Sequence, residues 1–287
     1  MTYLDDFLAQ GYAGPYPLLN KRESELLVSR ENLLSNLLLP TVKQRHVTSQ
    51  AIASVALRKE ILEKIKPILG DNILLSGSQL IHQHADAVHE WHVDTEHTEW
   101  EGITVWVGLK NVIRKECMRV ITRSHKFDVT PDDLKCDGLD LYNDTEVLNQ
   151  AQKLSPDAEL IEIDVSDGEF FIFDGLTWHA SRNLTQFTRY ALVLQYCNTG
   201  QKVKSLKSRF LPKVVWEKSN PECLLINGKD ESHINKIIPT KQIGSYDRLL
   251  KSVLYYLPKN MVARRRKIAM HLTSHIRSLF LNTGLNT

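Results

Sequence analysis

Cysteine is sparse in this 287-residue chain, and long apolar runs are missing altogether. Cys117, Cys136, Cys197 and Cys223 stand far apart with no Cys-x-x-Cys pair. Neither a zinc cage nor a disulfide framework is therefore expected, and all four read as plain thiols. No apolar stretch approaches the roughly 20 residues of a membrane span. Met1 to Asp6 offers no basic segment leading into an apolar run, which argues against a secretory signal, and the protein reads as cytoplasmic. Internal repeats, low-complexity tracts and nucleic-acid-binding motifs are missing too, so no nucleic acid is expected as a partner.

The chain has the apolar and charged content of an ordinary globular protein, long enough to bury a proper core. Its net charge of +2 hides an asymmetry. Residues 201–287 hold 17 Lys and Arg against 5 Asp and Glu, which leaves 19 against 29 for residues 1–200. Residues 1–200 read as one domain, and residues 201–287 as a basic helical extension.

Phe7 to Gly11 reads as a short helix leading into an extended segment around Pro15 and Pro17. Asn20 with Glu23 three residues on forms a capping-box variant that starts a helix toward Leu34. Ile52, Val55, Ala56, Ile61, Leu62 and Ile65 recur at three- and four-residue steps, so one helix is expected from Thr48 to Ile65, ended by Pro67 and Gly70. From Asn72 the period becomes two. Strands are expected at Ile73–His84, Gly102–Leu109, Arg119–Thr122, Glu159–Val165, Glu169–Phe173 and Arg189–Tyr196. Several such strands without long helices between them predict an antiparallel barrel or sandwich. Residues 126–158, polar and rich in Asp, read as an insertion loop with at most a short helix. After Cys197 the pattern turns helical, with Ser245–Leu257 and Val262–Leu281 the clearest candidates.

Three same-face acid and histidine pairs lie close together: His84/Asp86, His92/Asp94 and His97/Glu99. Residues two apart on a strand share a face, so each pair could converge on one ion across about 6.5 Å of backbone rise. Context favours His92/Asp94, which sits shortly before the apolar strand from Ile103, while His84/Asp86 lies earlier and His97/Glu99 falls in what reads as a polar loop. Downstream, Phe170 to Asp174 runs through a turn to His179, and Arg189 opens the next strand ten residues later. Two His and one carboxylate leave coordination positions open and suit non-haem Fe(II) and O₂ chemistry. A guanidinium beside them offers a planar fork for the far carboxylate of 2-oxoglutarate.

These residues also carry a resemblance. His179-Ala180-Ser181-Arg182-Asn183-Leu184-Thr185, with Arg189 after it, resembles the distal motif of the phytanoyl-CoA dioxygenase family of Fe(II)/2-oxoglutarate oxygenases. Trp91-His92-Val93-Asp94 resembles its proximal motif, and Thr104 to Leu109 its following strand. Val120 to Lys126 is similar to the segment usually ending Gly-Ser-His, with Arg123 in place of the glycine. Phe7 to Tyr12 with Leu18-Leu19 is similar to its N-terminal signature. The resemblance spans residues 4–197.

It implies a double-stranded β-helix, a jelly-roll or cupin-like barrel, holding Fe(II) on His92, Asp94 and His179. It also implies 2-oxoglutarate as cosubstrate on Arg189, and O₂ as oxidant. Thr104, Trp106 and Ser181 become candidate cosubstrate contacts, with inward core or turn-shaping roles as the bland alternatives. Oxidative decarboxylation would release succinate and CO₂ and oxidise a small-molecule metabolite such as a natural-product or carbohydrate intermediate. Halogenating relatives replace the carboxylate with a small residue, so Asp94 favours hydroxylation or another oxidation. His84, His89 and His97 could reach substrate, though surface or network roles are favoured for them because three ligands are already assigned. Competing readings are a non-catalytic binding barrel, and a metal-dependent cupin isomerase or hydrolase without 2-oxoglutarate. The basic extension is expected to pack on the barrel or form a homodimer contact; a lid over an anionic substrate and contact with an acidic membrane surface rank below that.

Overall fold

The computed structural model describes residues 2–37, 43–94, 102–203, 221–255, 257–258 and 261–262. Eleven strands among them form two sheets: β1 (Tyr12–Pro17), β2 (Ile73–Gln83), β3 (Val88–His92), β4 (Ile103–Lys110), β5 (Met118–Ile121), β6 (Leu160–Glu162), β7 (Glu169–Asp174), β8 (His179–Arg182), β9 (Arg189–Asn198), β10 (Glu222–Asn227) and β11 (Lys236–Ile237). The large sheet runs β1-β7-β4-β9-β2-β10-β11 and the small one β3-β8-β5-β6. Every pairing is antiparallel except β10 with β11. Two facing sheets with this crossed order are the double-stranded β-helix that the sequence resemblance implies.

Period-two alternation sorts the large sheet's side chains into two cores. Ile103, Val105, Val107, Phe170, Ile172, Leu192, Leu194 and Tyr196 face outward under the N-terminal helices. Trp106, Phe171, Phe173 and Ala191 face inward, where Met118, Val120 and Ile163 meet them from the small sheet's side. Both faces of the large sheet are therefore buried, which explains strands that read as nearly continuous apolar runs.

The helices before residue 200 are α1 (Tyr3–Gln10), α2 (Lys21–Leu37), α3 (Arg45–Thr48), α4 (Gln50–Ala56), α5 (Lys59–Leu69), α6 (Pro131–Lys135) and α7 (Asp144–Leu154) among the described residues. Asn20 and Glu23 cap α2 reciprocally, through 2.8 and 3.0 Å hydrogen bonds between each side chain and the other's backbone N–H. The single helix expected over residues 48–65 is instead two, α4 and α5, with Thr48 closing the short α3 before them. Ser49 caps α4 through its hydroxyl, and Arg58 in extended conformation separates α4 from α5. Pro67 sits inside the last turn of α5, and Gly70 ends it.

Two further expectations need correcting. Residues 126–158 hold α6 and the three-turn α7, whose Val147 and Ala151 pack against Trp91, Trp178 and Ala180 on the outer face of the small sheet. The polar side of α7 masked its buried stripe in the sequence. The chain after Cys197 is not helical throughout: β10 pairs with β2 and extends the large sheet. Residues 246–255 are helical as expected, while most of Val262–Leu281 lies outside the described residues. No disulfide joins the four cysteines. Among the described residues no helix is long and apolar enough to cross a membrane.

Two left-handed residues set the path into the distal histidine. Gly11 ends α1 at φ 86°, and its carbonyl accepts hydrogen bonds from the Asp174 N–H and the Thr177 hydroxyl. A Cβ there would lie 2.4 Å from His125 Nδ1 and 2.7 Å from Thr177 Oγ1. Arg123 adopts φ 66° and so keeps the left-handed turn that glycine usually supplies. The turn lets the Ser124 hydroxyl accept from Trp178 N–H at 2.8 Å and donate to Ile121 C=O at 2.7 Å.

Under the helices, Arg45 and Glu31 form a 2.7 Å ion pair with both side chains essentially sealed from solvent. Ser49 donates to the other Glu31 oxygen, while Arg45 Nε and Nη1 find no partner. Removing the carboxylate leaves a buried guanidinium uncompensated. Glu31→Ala should lower unfolding free energy by about 3–5 kcal/mol in urea titrations; a loss under about 1 kcal/mol would show that the pair contributes no stability.

Candidate metal centre

The β3–β8 ladder places His92 directly opposite His179, with ring centroids 4.1 Å apart. Asp94 follows on the same inward side just past β3, where its N–H donates to Gly175 C=O at 3.0 Å. Ligand-capable atoms of His92, Asp94 and His179 all lie within 4.8 Å of one another. His179 is buried, the other two half-buried.

Hydrogen bonding fixes how each group faces. His92 Nδ1 donates to its near neighbour Glu90 C=O, and His179 Nδ1 to Thr177 C=O, both at 2.8 Å. The protons are thereby held on Nδ1, leaving both Nε2 lone pairs to turn toward Asp94. Nε2 of His179 is 3.9 Å from Asp94 Oδ1, and the Thr104 hydroxyl from β4 donates to Oδ2. Burial first, then the neighbouring His179 and His89, holds the pKa of His92 well below the usual histidine range. Near neutral pH it is an unprotonated imidazole, the form that binds metals. Two oriented Nε2 atoms and one oriented carboxylate, with no fourth ligand-capable His, Cys, Asp or Glu in the cluster among the described residues, fit a non-haem iron. Phe173 lies against the His179 ring at 4.6 Å, stacked in turn on Phe171, and walls the site with apolar surface.

Support comes from behind the small sheet. Trp91, adjacent to His92, donates its indole N–H to Asp144 of α7 at 2.9 Å, and Arg119 of β5 pairs with the same carboxylate.

Arg189 opens β9 on the inward side and is fully buried. Its guanidinium donates to Cys117 C=O at 3.0 Å, to Arg182 C=O at 2.8 Å and to the Gln83 side-chain oxygen, and it lies 5.5 Å from the Trp106 ring. Its Nε is buried without a partner. Burial depresses its pKa, with Cys117 pulling the other way. Ser181, two residues past His179 on β8, donates to the same Gln83 oxygen at 3.4 Å. A polar line thus runs from His179 through Ser181 and Gln83 to Arg189.

Thr104 and Trp106 both point inward as the sequence suggested: one holds Asp94, the other flanks Arg189. Asn183 shapes the turn, its amide donating to Gln83, His84 and Phe187 carbonyls. The strand that begins at His179 continues to Arg182, so the first three residues after the distal histidine are strand. His84 and Asp86 sit exposed on the β2–β3 turn, with Asp86 in a left-handed conformation, and form no cluster. His97 and Glu99 lie outside the described residues. Gln83 was missed; its two-residue spacing from Ile81 on the inward face was the available signal. His89 packs on the His92 ring at 4.2 Å.

Several solved structures share this architecture. A non-heme monooxygenase, the ThoJ–Ni complex, superposes with TM-score 0.61 at 14% identity, covering 91% of this chain and 99% of that one. CytC3 with Fe(II) and alpha-ketoglutarate gives 0.60 at 17% identity, covering 84% and 93%. SnoN, a non-heme alpha-ketoglutarate-dependent epimerase from nogalamycin biosynthesis, gives 0.57 at 17%, covering 76% and 88%. At these identities the likeness speaks to the fold. No curated protein matches. The phytanoyl-CoA dioxygenase (PhyH) family model matches residues 30–191, a span that contains both histidines, the acid and Arg189. The chain belongs to the phytanoyl-CoA dioxygenase (PhyH) family.

Proposed function

We propose that this protein is an Fe(II)- and 2-oxoglutarate-dependent oxygenase that hydroxylates or otherwise oxidises a small-molecule metabolite. The observation that carries this reading is the pair of Nδ1–H···O=C locks, which turn the Nε2 atoms of His92 and His179 toward Asp94. When bound, the iron with its cosubstrate supplies O₂ activation and the oxidative decarboxylation to succinate and CO₂ that drives C–H oxidation. His92, Asp94 and His179 would hold the metal, and Thr104 orients Asp94 toward it.

Arg189, at the far end of the polar line, would take the distal carboxylate of 2-oxoglutarate, and its unpartnered buried Nε supports that role. Ser181 and Gln83 steady the guanidinium. Trp106, Phe171 and Phe173 keep water from the chamber. Asp94 would supply a carboxylate ligand where a halide would otherwise be needed, which favours oxygen insertion or another oxidation over halogenation. CytC3, a structural relative, was solved with Fe(II) and alpha-ketoglutarate, in line with this reading.

Anaerobic addition of Fe(II) and 2-oxoglutarate should produce the visible charge-transfer band of the chelate; a folded protein that shows no band would rule the proposal out. In a metabolite screen, succinate release should accompany a consumed compound whose mass reports oxidation without chlorine, even with chloride present. Arg189→Ala removes a charge-assisted contact of about 1.5–3 kcal/mol, and should weaken 2-oxoglutarate binding by roughly 10- to 100-fold. An unchanged 2-oxoglutarate Kd would remove Arg189 from the cosubstrate site.

A further inference from the structure

The packing expected of the basic extension accounts for one face of its first helix. The segment before that helix is fastened to the barrel. Ile243 is buried in the main core, its carbonyl accepts from the Gln50 side chain at 3.2 Å, and the Gly244 N–H donates to Val47 C=O. Within the helix, over residues 246–255, Arg248 donates to the buried Glu222 carboxylate of β10 at 2.8 Å and to the Gln242 side chain at 3.0 Å. Lys236 of β11 takes the other Glu222 oxygen. Arg248, Leu249, Ser252 and Val253 are half-buried, so theirs is the docked side.

A second side of the same helix is apolar and faces water. Tyr246, Leu250 and Leu254 stand four residues apart, and all three are exposed, Tyr246 at 77% and Leu254 at 65%. The recurrence continues at Leu257 and Met261, which are helical and exposed as well. A helix that docks by one face ordinarily turns polar residues to solvent on the other, so a row of this kind marks a surface meant for contact. Charge says what it would contact. Residues 248–287 hold eight Lys and Arg and no Asp or Glu, and with Arg248 engaged by Glu222 seven cations follow in the sequence, four of them as Arg264-Arg265-Arg266-Lys267. A second copy of the chain seated on this row would bring two such basic segments together, which like charges oppose. A nucleic acid would neutralise the cations but leave the leucines and Met261 in water. A bilayer with anionic headgroups satisfies both, since it offers negative charge at its surface and hydrocarbon just beneath. Among the described residues no helix is long and apolar enough to span a membrane, so the contact would be peripheral.

We propose that the C-terminal helix is a docking surface for an acidic lipid bilayer, with Tyr246, Leu250, Leu254, Leu257 and Met261 dipping into the headgroup boundary and the basic residues around and after them holding the anionic lipid. The Arg248–Glu222 ion pair fixes the helix on the barrel with this row turned outward, so the barrel rides on the surface as a rigid body. Neither signal suffices alone. A few apolar side chains give weak, reversible attachment, and each basic residue near an anionic surface adds about fivefold to binding. The inference is independent of the oxygenase reading and adds a partner to it.

The test is co-sedimentation of the full-length protein with vesicles of phosphatidylcholine alone and of phosphatidylcholine with about 30% phosphatidylserine. The mixed vesicles should bind at least tenfold more tightly than the neutral ones, and about 0.5 M salt, where the screening length is roughly 4 Å, should release the protein. Leu250→Ser combined with Leu254→Ser leaves the charge unchanged and alters two exposed positions, so the fold should persist, as an unchanged circular dichroism melt would report. That double variant should lose at least tenfold in vesicle affinity, whereas Leu254→Trp should gain. The surface is overturned if the wild type ignores the mixed vesicles, if neutral vesicles bind equally well, or if the double variant binds like the wild type, as a purely electrostatic tail would. It is equally overturned if analytical ultracentrifugation without lipid shows a wild-type dimer that the double variant dissolves, since a second copy would then be the occupant. The Fe(II) chelate band tests the oxygenase reading separately and is expected in wild type and double variant alike.

Discussion

The register of one short ladder governs this site. β3 and β8 pair so that His92 faces His179, and each imidazole donates its Nδ1–H to the backbone carbonyl two residues earlier. Side-chain geometry is thereby tied to main-chain geometry, which is the stiffest part of a sheet. A slip of one residue would move one imidazole to the outer face and abolish the site. Much of the surrounding structure resists such a slip. Ser124 and Ile121 hold Trp178, Gly11 holds the Asp174–Thr177 turn, and Asp144 holds Trp91.

Most of the barrel was legible because strands buried on one or both faces leave a period of two or a dense apolar run. Ile103 to Leu109 and Phe170 to Phe173 are such runs, and each became a strand within a residue or two of its expected ends. The candidate ligands were legible for a related reason. His92-Val93-Asp94 combines donor types with same-face spacing, and His179 with Arg189 lies at the start of consecutive strands.

Other features left no such trace. Helix α7 buries only Val147 and Ala151, too little to stand out against its acidic and amide residues. The break between α4 and α5 depends on Arg58 adopting an extended backbone, and nothing in the 48–65 periodicity marks it. β10 joins the sheet by pairing with β2, a long-range event that local composition does not encode. The facing of His89 depends on the same kind of event: an irregular register turns it inward, while residue counting alone places it outside. Arg123 shows the reverse case, where a departure from the family's usual glycine left the turn unchanged because arginine accepted the left-handed backbone.

The amide of Asn183 pins three carbonyls, those of Gln83, His84 and Phe187, at the foot of the seam between the two sheets. It fastens the β2–β3 connection to the turn before Arg189 at a point that no metal ligand touches. Evolution could therefore lengthen or reshape the chain on either side of this rivet, altering which guests are admitted, while the iron-gripping machinery stays untouched. A fold fastened in this way lends itself to diversification by its rims.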